Sequence, residues 1–180
     1  MNPWHDIPEE RITPEDFLAV IEIAKNSRQK YEIDKDTGML VIDRILKTSM
    51  RYPANYGFIP KTLSEDGDPL DVLLVCSEEI QPMTLAQCTP VGLIEMIDNG
   101  ERDEKIIAVL KKDPYFNFVK DVMDLSETRI LEIQHFLTVY KDLEKDNKVE
   151  INPIKGREDA IKIIAEAKEL YKKTFAKKAK

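Results

Sequence analysis

The 180-residue chain is 42% apolar and 34% charged, enough to bury the core of one domain, residues 1–180, with a helix or two appended. Its 27 basic and 34 acidic side chains leave a net charge of −7, which argues against a general nucleic-acid or anionic-membrane binder while leaving room for a small basic pocket. No apolar run approaches the roughly 20 residues that span a bilayer; Met1 to Asp6 is no secretory leader, and Cys76 and Cys88 lack CxxC spacing, so a cytoplasmic protein without disulfides or structural zinc is expected.

Taken in chain order, the first two thirds read as strands and turns. Phe17 to Ala24 is apolar and β-branched except for Glu22. Lys30 to Asp34 alternates, Asp36-Thr37-Gly38 supplies a turn, and Met39 to Leu46 resumes as a strand, which together predict a hairpin. Val72 to Cys76 is a short buried strand. Pro90 to Ile97 and Lys105 to Leu110 are two more, joined through Asp98-Asn99-Gly100. After Pro114 the period changes. Ser126 caps a helix on which Ile130, Ile133, Leu137 and Tyr140 recur. A second helix starts near Arg157, with Ile161, Ile164, Lys168, Tyr171 and Phe175 on one face. Asp146-Asn147 and Asn152-Pro153 mark turns between them. The basic residues Lys172-Lys173 and Lys177-Lys178 suit a helix C-terminus better than a nucleic-acid arm. Strands that close on themselves, followed by helices, predict a mainly β fold with α: a small barrel with helices packed outside.

The chemistry concentrates in Glu65-Asp66-Gly67-Asp68-Pro69-Leu70-Asp71. Pro69 fixes its own backbone and pushes Asp68 towards an extended conformation. Carboxylates about 4 Å apart repel by roughly 4 kcal/mol at an effective dielectric near 20. A hard divalent cation relieves that, as does protonation of one carboxyl; a solvated acidic turn is the plain alternative. An EF-hand register fails, because its sixth and twelfth positions fall on Asp71 and Ser77. A second acidic group, Asp98 to Lys105, lies in another turn and could form the opposite wall of a metal pocket, with Lys105 opening the next strand on the face of Asp103. Glu22, inside an apolar strand, must face either solvent or a polar cavity. Glu32 shares a strand face with Lys30. Arg44, Tyr52, Tyr56 and the Tyr140-Lys141 pair add cations and phenols. Carboxylates with a few Lys, Arg and Tyr groups suit a metal–phosphate complex.

These residues resemble the family I soluble inorganic pyrophosphatases over nearly the whole chain. Asp66 to Val72 matches the signature DGDPxDV. The match extends to Ile21-Glu22-Ile23, Lys30-Tyr31-Glu32, Asp43-Arg44, Tyr52 to Gly57, Asp98, Asp103, Lys105, and His135-Phe136 through Tyr140 to Glu144. The resemblance implies an OB-like five-stranded β-barrel with flanking C-terminal helices, and Mg²⁺-dependent hydrolysis of pyrophosphate to two orthophosphates. It implies Mg²⁺ ligands at Asp66, Asp71 and Asp103, with Asp71 bridging two ions. Asp98, Asp103 and Glu32 would face ions arriving with substrate, and Glu22 would act through metal-bound water. Asp68 is the implied general base. Lys30, Arg44, Tyr140 and Lys141 are the implied phosphate holders, Tyr56 tunes the nucleophile's surroundings, and Lys105 sits against the acidic cluster. A cytoplasmic homohexamer follows from the same likeness. Asn99 and Val139 depart from the bacterial pattern, where an acidic residue and a second histidine are common, as does the stretch after Glu144. The competing readings are another Mg²⁺-dependent phosphohydrolase, a non-catalytic OB-like nucleic-acid module and a Ca²⁺-binding structural protein. The absence of a Gly-rich phosphate loop disfavours a nucleotide enzyme.

Overall fold

The computed structural model describes residues 1–145 and 148–175. Nine strands and two helices follow in the order β1 (Phe17–Ile23), β2 (Gln29–Ile33), β3 (Leu40–Ile45), β4 (Asn55–Phe58), β5 (Asp71–Val75), β6 (Leu85–Asp98), β7 (Glu101–Leu110), α1 (Glu127–Val139), β8 (Val149–Ile151), β9 (Lys155–Gly156) and α2 (Arg157–Phe175). Strands β1, β4, β5, β7 and β6 pair in that order and β6 pairs back with β1, so five strands form a closed ring. The short β8 and β9 extend it from β6. The hairpin β2–β3 is a separate two-stranded sheet.

Strand β5 is buried on both faces after Asp71, which is why Val72 to Val75 reads as an unbroken apolar run rather than an alternating one. Val72 and Leu74 pack with Ala160, Ile164 and Ala167 of α2. Leu73 and Val75 face the other way and pack with Ile133, Phe136 and Leu137 of α1. The Ser126 hydroxyl accepts the Arg129 N–H and caps α1 as expected. Gly57 is required where β1 crosses β4: a Cβ there would lie 1.9 Å from the Val20 carbonyl oxygen.

The expected hairpin forms, and its turn closes through the Gly38 N–H donating to Asp34 O at 2.8 Å. Two expectations are corrected, and one unassigned segment proves to be a strand. The strand expected over Pro90 to Ile97 runs from Leu85 to Asp98, because a register irregularity between Pro90 and Gly92 absorbs the proline. The segment expected as an acidic turn up to Lys105 is a turn only at Asn99-Gly100. Glu101 to Glu104 already belong to β7, paired with β6 from Asp98↔Glu101 onward, and Lys105 is its fifth residue. The segment Asn55 to Phe58, not assigned to a strand from sequence, forms β4. The turn expected at Asp146-Asn147 and the cations Lys177-Lys178 lie outside the described residues. Cys76 and Cys88 are both buried and free. Among the described residues no helix is long and apolar enough to cross a membrane.

Candidate active site

A cavity of about 320 Å³ opens between the β2–β3 hairpin and the ring. Glu22 enters it from β1. The pairing of β1 with β4 slips between Ile21 and Ile23, so Glu22 occupies a bulge. A bulge of this kind re-aims one side chain without breaking the strand. Glu22 is buried and accepts the Ile33 N–H at 2.7 Å, so the cavity reading holds and the solvent reading does not. Burial, then the charge of Asp71, push its carboxyl from 4.5 up to about 8.

The acidic loop is pinned at both ends. Ser64 N–H donates to Asp68 O at 2.7 Å and Gly67 N–H to Ser64 O at 3.1 Å. Gly67 has φ +86°, in the left-handed region. Leu70 N–H donates to the buried Thr62 hydroxyl at 2.9 Å. Between these anchors the Asp66 carboxylate accepts the Asp68 N–H at 2.9 Å, and Asp66 and Asp68 both line the cavity. Burial raises the Asp66 pKa, and the neighbouring carboxylates add to it.

Asp71 opens β5, and the parallel register of β5 on β7 sets it beside Lys105. The Lys105 ammonium donates to Asp71 Oδ2 at 2.8 Å, to Asp103 Oδ1 at 2.9 Å and to the Tyr56 hydroxyl at 3.0 Å. Tyr56 in turn donates to Asp71 Oδ2 at 2.5 Å. Asp103 and Lys105 share a strand face, as their spacing predicts. Burial pulls the Lys105 pKa down, but Asp71, Tyr56 and Asp103 outweigh it and hold the ammonium charged. Burial raises the Asp71 pKa against the pull of Lys105. Burial also lifts the Tyr56 hydroxyl well above its usual range, keeping it a donor.

The remaining wall comes from the hairpin and the end of α1. Lys30 donates to Asp43 Oδ2 at 2.9 Å and to Glu32 Oε2 at 3.2 Å, the shared face the alternation predicts. Tyr140 caps α1, stacks on Phe136 at 4.9 Å and lines the cavity; Lys141 pairs with Asp98. Asn99, beside Asp98, accepts the Lys148 N–H at 3.1 Å and closes the turn. The cavity thus collects every residue proposed from sequence except Arg44 and Tyr52, the latter being buried in the core against Phe136. That guanidinium lies off the cavity wall, 3.5 Å from Asp43 and 3.8 Å from Glu144. His135 is exposed on α1 and does not line the cavity. Sequence reasoning misses Lys35, whose ammonium pairs with Asp68, and the part Asp43 plays in holding Lys30. A lysine in a hairpin turn carries no local signal; only the tertiary fold brings it to the acidic loop.

Seven carboxylates and four lysines face the cavity. Excess negative charge with hard oxygen donors fits a small divalent cation. Among the described residues no three of these side chains already converge to chelate an ion, and the Lys105 ammonium stands between Asp71 and Asp103. The fit therefore rests on charge and donor type.

Glu22 carries a pH-dependent cost. Its folded pKa lies above that of a free glutamate. Its ionised form therefore costs stability that grows as pH rises from about 4.5 to 8 and is absent below. With metal chelated, Glu22→Gln should melt several degrees above the parent at pH 9 and level with it at pH 4, on the scale of roughly 2–4 °C per kcal/mol for a chain of this size. Equal melting at both pH values would contradict the buried carboxyl.

The family model for inorganic pyrophosphatase matches residues 19–172. The chain belongs to the inorganic pyrophosphatase family. The Aquifex pyrophilus inorganic pyrophosphatase is 45% identical over 172 residues, covering 94% of this chain and 97% of that protein. Soluble inorganic pyrophosphatase 2 of Chlamydomonas reinhardtii is 42% identical over 174 residues, covering 97% and 90%. The crystal structure of the Thermus thermophilus inorganic pyrophosphatase superposes with TM-score 0.91 at 36% identity, over 96% of this chain and 99% of that one. The Helicobacter pylori pyrophosphatase gives 0.85 at 41% identity, over 88% and 95%. The five-stranded ring with its two helices is thus the fold of solved pyrophosphatases.

Proposed function

We propose that this protein hydrolyses pyrophosphate to two orthophosphates with Mg²⁺ as cofactor. The observation that carries the reading is the cavity itself: seven carboxylates and four lysines around one space, in a chain of this family. Asp66, Asp71 and Asp103 would hold one ion, with Asp71 shared with a second. Asp98 and Glu32 would face ions that enter with the substrate, and Glu22 would act through water. Mg²⁺ in that place supplies positive charge that acidifies a nearby water and offsets the charge of the phosphate oxygens.

The chain's own groups do the rest. Asp68, on a loop pinned by backbone hydrogen bonds, takes the proton of the attacking water. The water oxygen bonds to one phosphorus as the bridging P–O bond breaks and the second phosphate leaves with that electron pair. Lys30, Lys141 and Tyr140 hold phosphate oxygens, and Arg44 joins them by exchanging Asp43 or Glu144 for one. Lys105 and Tyr56 hold Asp71 in place. The same family likeness extends the reading to a single domain that assembles as a cytoplasmic homohexamer.

Comparing phosphate release from pyrophosphate, ATP and a sugar phosphate under Mg²⁺ tests the substrate. Strong preference for pyrophosphate supports the proposal; faster release from ATP or the sugar phosphate favours a different phosphohydrolase.

A further inference from the structure

We propose that Lys35 is a positioning residue that sets the orientation of Asp68 for proton transfer. The inference rests on the reading of Asp68 as proton acceptor. Lys35 sits in the turn of the β2–β3 hairpin, and its ammonium pairs with Asp68 Oδ1. The other ion pairs of the cavity do not make this link. Lys30 pairs within the hairpin, Lys105 within the ring, and Lys141 ties Asp98 to the end of α1. Among the described residues, Lys35 with Asp68 is the ion pair that joins the hairpin to the acidic loop.

The backbone under Lys35 is fixed, unlike that of an ordinary surface lysine. Asn2 Nδ2 donates to Lys35 O at 2.7 Å. Further along the turn, a Cβ at Gly38 (φ +72°) would come within 2.9 Å of Asn2 Cα, so the N-terminal segment packs directly behind the hairpin. Trp4 of that segment is buried with Ile33 and Phe58. The ammonium is thus presented from a braced turn.

Asp68 is held from the other side by its main chain: its N–H donates to Asp66 and its carbonyl accepts from Ser64. The carboxylate torsion of an aspartate is broad and two-fold, so the backbone anchors do not choose which oxygen faces the cavity. An ammonium on Oδ1 does, leaving Oδ2 for the proton. Lys35 and Asp68 are 49% and 51% exposed, so the pair adds little stability. Its effect is on geometry, where small misplacements of a reacting group are costly.

The test is steady-state kinetics with saturating Mg²⁺ on the parent, Lys35→Met, Lys35→Arg, Asp68→Asn and the Lys35→Met/Asp68→Asn double variant, beside thermal melting. Lys35→Met should lower kcat roughly tenfold with KM within about twofold and melting unchanged, and Lys35→Arg should restore most of the loss. In the Asp68→Asn background Lys35→Met should cost nothing further, since the group it positions is gone. An unchanged kcat, a rise in KM alone, or a full loss repeated in the Asp68→Asn background would each overturn the positioning role. Near-parent activity of Asp68→Asn itself would instead remove the proton-acceptor reading, so the two failures are distinguishable.

Discussion

Asp68→Asn should lower pyrophosphate turnover by about 10²–10⁴-fold, the range a positioned acid–base group contributes, while Mg²⁺ affinity stays within about twofold. The asparagine is nearly isosteric. The bonds that hold the loop at this position are main-chain ones, from Ser64 N–H to residue 68 and from its own N–H to Asp66, and both survive the change. What is lost is the capacity to take a proton. The check is kcat from phosphate release together with Mg²⁺ titration by calorimetry. If affinity fell in step with turnover, Asp68 would be a metal ligand and the division of labour along the acidic loop would be wrong.

The second large effect is expected at Asp71, where the outcome is different in kind. Asp71→Asn should weaken Mg²⁺ binding and turnover together, because the proposed function assigns this carboxylate to two ions. It should also lower stability in EDTA. Lys105 is buried with its ammonium against Asp71 and Asp103, at 2.8 and 2.9 Å. Breaking a buried pair outright costs about 3–5 kcal/mol, and the surviving Asp103 keeps the loss below that. Urea unfolding with metal chelated reads the stability, and a Mg²⁺ titration reads the affinity. Normal affinity in this variant would exclude the shared-ligand assignment. The contrast between position 68 on the acidic loop and position 71 at the start of β5, three residues apart, separates proton transfer from metal holding.

Much of this site is legible in the amino-acid sequence, for local reasons. Asp66 and Asp68 lie on one pinned loop that leads into Asp71 at the start of β5, and Gly67 and Pro69 mark it. Asp103 with Lys105, and Lys30 with Glu32, follow from the two-residue period of a strand. Glu22 stands out as a charge in an apolar strand, though its bulge does not show, since a bulge depends on the register of the partner strand. The parts that cannot be read locally depend on distant pairing. Asn55 to Phe58 is a strand because Gly57 lets the β1 backbone come close, and a four-residue segment has no room for a clear period. Glu101 to Glu104 look like a turn because they are charged, yet their backbone is paired with β6. Arg44 carries the right chemistry and stands off the wall, because Asp43 and Glu144 hold it. Lys35 carries no signal at all, because its partner is thirty-three residues away and only the fold of the hairpin over the acidic loop joins them.

Metal-dependent pyrophosphate hydrolysis is tested most simply by phosphate release from pyrophosphate with the purified protein, first with Mg²⁺, then with excess EDTA, then with Mg²⁺ restored. Fast release with Mg²⁺, its loss in EDTA and its recovery on return of the ion are the expected results. Release that persists undiminished in EDTA, or no release with any divalent cation, would contradict the proposed function.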